Sequence, residues 1–241
     1  MSSRAAAQFV PSVLVLGQWW PGRLPDPGGI PGVGRWAGPR SGGAGGAGVA
    51  LTFDDGPDPR TTPGILDLLD ELGLVGTYFC LGSQAEANPG LVKDLARRGH
   101  EVGVHGHSHE RHLFRSPTWI RVDLERAVSV LEDLTGASIR WFRPPFGQVS
   151  GGSVQAARQL GLDLVLWSAW GREWSDRDPA SVARRVAGRL RPGAVVLLHD
   201  SDADAPPGTA EVTARALPAV AAAVSERGLR AVTLSELFAS P

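Results

Sequence analysis

From Val49 onward the chain alternates between short apolar runs and longer segments in which apolar residues recur every three or four positions. The short runs are VALTF, GTYFC, EVGVH, IRWFR, LDLVLW, GAVVLLH and RAVTL, seven in all, and they read as strands. Residues 63–72, 88–98, 117–134, 153–160, 179–190 and 209–226 lie between them and carry helical periodicity. In TTPGILDLL a threonine precedes a proline that suits the first helical turn, an explicit start signal. Each helical segment is near the length that a strand-helix-strand crossover needs. The pattern predicts a parallel α/β protein.

An open doubly wound sheet would show the same alternation, but no Gly-x-Gly-x-x-Gly follows the first strand. TFDDGP occupies the place where a phosphate-cradling loop would lie. Polar residues instead gather at the carboxyl ends of the strands. Asp54 and Asp55 follow the first, His105 the third, Arg143 the fourth, Trp167 the fifth and His199 the sixth. In a parallel barrel those positions converge on one mouth.

Residues 1–48 break the pattern, because glycine and proline supply 18 of them, in stretches such as PDPGGIPGVG and SGGAGGAG. This part is expected to be an irregular arm in which Trp19, Trp20 and Trp36 cover a neighbouring surface. Residues 49–241 are then a single domain, which a chain of 241 residues at 42% hydrophobic content can support.

A formal charge of -1 at pH 7 provides no general cationic surface, so coating nucleic acid or an anionic membrane is not the expected function. The partner is expected to be neutral or small. Cys80 is the only cysteine, which excludes an internal disulfide framework and any multi-thiolate metal site; it reads as a small buried hydrophobe. No run of 18 apolar residues exists, and the apolar stretch from Phe9 to Leu16 is short, interrupted by Pro11 and followed by no Ala-x-Ala site. A cytoplasmic location is the expectation from these features.

Four of the six histidines fall within residues 105–112, in HGHSHERH. His105 and His109 are four apart, a separation that lets both imidazoles reach one ion from a helical turn or a compact loop. Two histidines and a carboxylate leave coordination positions open to water, the arrangement a hydrolytic site needs, and Asp55 can be that carboxylate. Its neighbour Asp54 is then free to take a proton, while Asp58 reads as a turn residue. Arg143, before two prolines, is either a solvated cation or the partner of a carboxylate base. His199 is either a core histidine or an acid placed near a leaving group.

The stretches TFDDGPDP, GHEVGVHGHSH, RPPFG, REW and LLHD, in that order, resemble the motifs of the polysaccharide deacetylases with a NodB-type domain, carbohydrate esterase family 4. The likeness covers about residues 49–238. It implies a distorted (β/α)7 barrel and a metal-dependent hydrolase that removes the N-acetyl group from an amino sugar. It also implies a divalent ion, zinc being the expected one, held by Asp55, His105 and His109. Asp54 would be the general base, Arg143 would orient it, and His199 would be the general acid. The main-chain N-H of Phe146 would stabilise the oxyanion.

Three positions depart from the family pattern. Gly106 stands where serine or threonine is usual, so a hydrogen bond that braces the metal loop is either lost or supplied by another group. Phe146 replaces a tyrosine, which removes a hydroxyl but spares a main-chain role. Glu173, before Trp174, replaces the aspartate that polarises the catalytic histidine. Among the eight tryptophans, Trp141 and Trp167 are expected in the core, with Trp170 and Trp174 at the pocket wall against sugar faces. The competing expectations are hydrolysis of a non-sugar C-N bond by the same machinery, and a saccharide-binding module without turnover.

Overall fold

The structure, a computed structural model, describes residues 47–239 and the backbone of Val15–Leu16. Most of the expected arm, residues 1–48, therefore lies outside the described residues. In chain order the first elements are β1 (Val15–Leu16), β2 (Gly48–Asp54), α1 (Thr62–Glu71), β3 (Thr77–Cys80), α2 (Gly82–Ala87), α3 (Pro89–Arg97) and β4 (Glu101–Val104). There follow α4 (Pro117–Thr135), β5 (Trp141–Phe142), β6 (Gln148–Val149), α5 (Gly151–Gln159), β7 (Asp163–Leu164) and β8 (Ala169–Trp170). The last are α6 (Pro179–Ala187), β9 (Val195–His199), α7 (Thr209–Glu226), β10 (Arg230–Ala231) and α8 (Leu234–Leu237). β1 pairs antiparallel with β6, and every other pairing is parallel.

The main sheet runs β7-β5-β4-β3-β2-β9-β8, with β10 added to the lower end of β2. Its two outer strands are consecutive in the chain, and only residues 165–168 separate them. A connection of that length reaches at most about 18 Å from Leu164 to Ala169. The outer strands of a flat seven-stranded sheet would stand roughly 29 Å apart. The sheet must therefore curl until its edges nearly meet, which is the distorted (β/α)7-type barrel.

Residues 162–167 are not the single strand that their apolar run suggests. The segment leaves β5 and arrives at β9, donating from Val165 N-H to Phe142 and from Ser168 N-H to Val195. Across the seam the carbonyls of Val165 and Leu166 accept from the guanidinium of Arg143, at 3.5 and 3.1 Å. A buried arginine thus takes the place of a ladder partner and joins the two edges.

Alternation within the strands sorts side chains to two sides of the sheet. Val49, Leu51, Phe53, Val196 and Leu198 pack outward against the helices, in the larger core. Ala50, Phe79, Trp141 and Val195 belong to a second, inner cluster together with Leu234 and Leu237 of α8. Continuing that inner phase upward from Ala50 gives Thr52 and Asp54, from Trp141 gives Arg143, and from Val195 gives His199. The period of two alone puts these polar residues inside the mouth.

The opposite end of the barrel is closed by polar contacts. Trp141 Nε1 donates to Glu101 Oε1 at 3.0 Å, and Glu101 also accepts from Ser235 N-H and Thr77 Oγ1. Trp141 is fully buried and Trp167 packs partly buried against the core, as expected for both. Cys80 is a buried free thiol, and burial pushes its pKa well up, as befits a core residue rather than a nucleophile.

Candidate active site

Register brings the strand ends level. Asp54 of β2 pairs with His199 of β9, and Val104 of β4 with Phe142 of β5, so His105 and Arg143 emerge side by side. Asp54 Oδ1 accepts from Arg143 Nη1 at 2.7 Å, and the same nitrogen reaches Thr52 Oγ1 at 2.8 Å. The arginine is wholly buried, with its charged carbon 4.1 Å from the Phe79 ring centre. Of the two sequence readings of Arg143, the solvated cation is thereby excluded.

Asp55 lies just past the strand at φ 76°, a left-handed conformation that an L-residue other than glycine adopts at some cost. That turn separates its carboxylate from Asp54's. Asp55 Oδ1 stands 3.4 Å from His105 Nε2 and 3.3 Å from His109 Nε2, while its Oδ2 is 4.0 Å from His199 Nε2. His105 Nδ1 faces the Arg143 carbonyl at 2.7 Å and can only donate to it, so Nε2 keeps its lone pair toward Asp55.

One ligand atom each from Asp55, His105 and His109 lie within 4.8 Å of one another, a candidate site for a divalent metal ion. The fit is supported by an orphan, because Asp55 Oδ1 is buried without a hydrogen-bond partner. Such an atom is costly to bury unless a cation completes it. Burial raises the Asp55 pKa, yet the adjacent His105 imidazole and the positive charges that His199 and His109 can carry outweigh it and hold the carboxyl well below the usual range. It is an anion at neutral pH.

On the other side of Asp55, His199 Nδ1 meets Glu173 Oε1 at 2.7 Å, with Glu173 fully buried. The longer side chain of glutamate therefore still reaches the histidine. Burial lowers the His199 pKa, but the Glu173 hydrogen bond and the charges of Asp55, Glu173 and Asp54 prevail and push it up to about 9. Trp174 stands edge-on to His199, with ring centres 5.3 Å apart, so the structure brings it to the site. Trp170 has a different neighbour: the guanidinium of Arg189 lies 4.6 Å from its ring centre. Phe146 adopts φ 58° after two prolines, and its ring centre is 4.3 Å from that of His109. Gly147 at φ 62° leaves room for Trp167, whose ring a Cβ at Gly147 would strike.

The other two histidines of HGHSHERH, His107 and His112, serve the frame. His112 is buried, bonded through Nδ1 to Ser153 Oγ at 3.0 Å and stacked on Phe142. Burial and the charges of His105 and His109 bring its pKa down to about 3, so it is neutral. His107 points to the other side, with Nε2 3.9 Å from Glu86.

Three acidic residues at this site were not picked out from the sequence. Asp204 brings Oδ1 to 3.6 Å from His109 Nδ1. Asp200, buried behind His199, accepts from Thr62 Oγ1 at 2.5 Å; burial, aided by the charges of Asp55 and Asp54, pushes its pKa up to about 7. For Asp200 a signal existed, since it completes LLHD. The third, Asp123 of α4, accepts from the main-chain N-H of His107 at 2.8 Å and of Ser108 at 3.1 Å. It supplies the brace that Gly106 lacks. Gly106 itself sits at φ 95°, where a Cβ would crowd the Ser108 carbonyl and the Asp123 carboxylate.

Asp123→Ala is expected to leave two amides without their acceptor and to cost about 1–3 kcal/mol of stability. Because the loop it holds carries both imidazoles, metal affinity should fall by roughly 10-fold or more, the scale seen for lost supporting partners. Competition with a chelator, read against Asp123→Asn, measures this. Unchanged metal affinity in the alanine variant would remove Asp123 from the role.

Residues 42–165 match the polysaccharide deacetylase family. The chain belongs to that family. It is 34% identical over 190 residues to the peptidoglycan-N-acetylglucosamine deacetylase PgdA of Listeria monocytogenes, covering 79% of this chain and 38% of that protein. The chain thus spans well under half the length of this relative. Among solved structures it resembles the Bc1960 peptidoglycan N-acetylglucosamine deacetylase, with a TM-score of 0.76, 32% identity and coverage of 83% of this chain and 92% of that one. It also resembles a CE4 family pseudoenzyme from Bacillus anthracis, with a TM-score of 0.73, 25% identity and coverage of 80% and 66%. The polysaccharide deacetylase fold is therefore shared with a protein described as a pseudoenzyme, and only the side chains at the mouth can argue for chemistry.

Proposed function

We propose that this polysaccharide deacetylase is a metal-dependent hydrolase that removes the acetyl group from N-acetylated amino sugars in peptidoglycan-type or chito-oligosaccharide glycans. One observation carries the reading: a carboxylate fixed by a buried arginine and a histidine fixed by a buried glutamate flank the Asp55, His105 and His109 cluster from two sides. A binding module needs neither flank. The substrate class is supported by the relatives, whose names specify peptidoglycan and chito-oligosaccharide deacetylation.

Two imidazoles and a carboxylate with open positions suit zinc best among common divalent ions. When bound there, such an ion supplies Lewis acidity and lowers the pKa of water. The chain's own residues do the rest. Asp54, held by Arg143, accepts the proton that an attacking water gives up at Oδ2, the oxygen the arginine leaves free. Main-chain N-H at Phe146 stabilises the negative oxygen of the tetrahedral species. His199, charged and steered by Glu173, gives its Nε2 proton to the departing sugar nitrogen, which leaves poorly as an amine anion. Trp174 packs beside this acid and walls the mouth.

Acetate release from N-acetylglucosamine oligomers and from peptidoglycan tests the reading. Metal-replete protein should release acetate, chelation should stop release, and adding zinc back should restore it. If metal-replete protein releases no acetate from any N-acetylated glycan, the proposal fails. Faster turnover of non-sugar amides than of every N-acetyl sugar would move the assignment to another C-N bond.

A further inference from the structure

Arg111 follows the metal loop by two residues and is exposed, yet its guanidinium is not loose. Its central carbon lies 4.0 Å from the centre of the Phe146 ring. Phe146 is in turn 4.3 Å, centre to centre, from His109. One aromatic ring therefore separates Arg111 from a candidate metal ligand. That ring projects from a turn that follows two prolines, whose locked φ angles restrict the backbone under the cation.

Among the described residues no carboxylate lies within ion-pair distance of Arg111, and none of its N-H groups has a hydrogen-bond acceptor. The neighbouring acid is taken, because Glu110 pairs with Arg115 at 3.0 Å. Stacking on a ring uses the face of a guanidinium and leaves its in-plane N-H donors free, and those donors match the two oxygens of a carboxylate. The ring also removes much of the freedom that a free arginine would lose on binding. Asp204, which approaches His109 from its Nδ1 side, is an exposed carboxylate at the same mouth. The mouth is thus polar, with a cation at the Phe146 shelf and an anion by His109.

We propose that Arg111, seated on Phe146, binds a carboxylate carried by the glycan and so selects acidic N-acetylated glycans over neutral ones. This rests on the N-deacetylase reading and adds its specificity. A neutral chito-oligosaccharide gains nothing from the fixed cation. A glycan with a carboxylate near the reacting acetamido sugar gains a charge-assisted pair and a fixed direction in the mouth.

The test compares an acidic peptidoglycan fragment with the same fragment after its carboxylates have been converted to neutral amides, in metal-loaded wild type, Arg111→Gln and Arg111→Lys. For the acidic fragment, Arg111→Gln should raise KM roughly tenfold with kcat little changed, the scale of one charge-assisted pair. Lysine should recover part of the loss. The neutral fragment should be indifferent to the substitution, and only the acidic one should weaken with added salt. Equal changes with both fragments, or none with either, overturn the proposal. Calorimetry with both fragments separates this failure from failure of the deacetylase reading. If wild type turns over neither fragment yet binds the acidic one more tightly in an Arg111-dependent way, the deacetylase reading falls and this inference stands; equal affinities sink the inference.

Discussion

His105→Ala should purify without stoichiometric metal and with its deacetylase activity gone. His105 is tied at both ends: its Nε2 is 3.4 Å from Asp55 Oδ1, and its Nδ1 is anchored on the Arg143 carbonyl at 2.7 Å. The ring is nearly inaccessible to solvent, so no water-filled rearrangement replaces it. Removing it leaves one imidazole and one carboxylate, too few to hold a divalent ion against buffer and chelators. The drop in affinity should exceed the roughly 10–100-fold that follows loss of a mere supporting partner. His107→Gln is the control, because that ring points toward Glu86 and should leave metal content unchanged. Metal analysis of the two purified variants, with circular dichroism to establish folding, gives the comparison. A folded His105→Ala protein with full metal content would overturn the ligand set.

Much of this site was legible because it sits where strands end. Asp54, His105, Arg143 and His199 each close an apolar run, and a parallel sheet aligns such ends without any knowledge of packing. What the sequence could not disclose depends on contacts between distant segments. Residues 162–167 look like one strand, but their carbonyls at 165 and 166 belong to Arg143 rather than to a neighbouring strand. Helix α2 has no side-chain cap; instead its first amides are satisfied by the carbonyls of Gly106 and His107, so the metal loop itself starts the helix. Asp123 sits on the buried face of α4, where a lone acid gives no sign of the loop it braces. Trp170 closes β8, and nothing in the sequence marks the Arg189 guanidinium, just beyond helix α6, that stacks on its ring.

His199 is expected to matter through the proton it carries, and that separates it from the metal ligands. Its Nε2 is 4.0 Å from Asp55 Oδ2, on the opposite side from His105 and His109, and its Nδ1 is bound to Glu173. His199→Ala should therefore keep metal near the parental amount while amide turnover falls by about 10²–10⁴-fold, the usual scale for a positioned acid. Activated acetate esters should suffer much less, because their leaving groups depart without protonation. The pH profile carries the same signature. An acid whose pKa is pushed up to about 9 is protonated below that value, so activity should hold through neutrality and fall as pH rises through the alkaline limb. A cation at Asp55 offsets part of that carboxylate's pull, which places the limb of the loaded enzyme at or below this value. Glu173→Gln removes the partner's charge and so moves the limb further down in pH, with metal retained, whereas a merely structural role for Glu173 would lower stability and leave the limb in place. If His199→Ala loses its metal, or slows esters and amides equally, His199 is a ligand or a scaffold residue, and the proton for the sugar nitrogen must come from elsewhere.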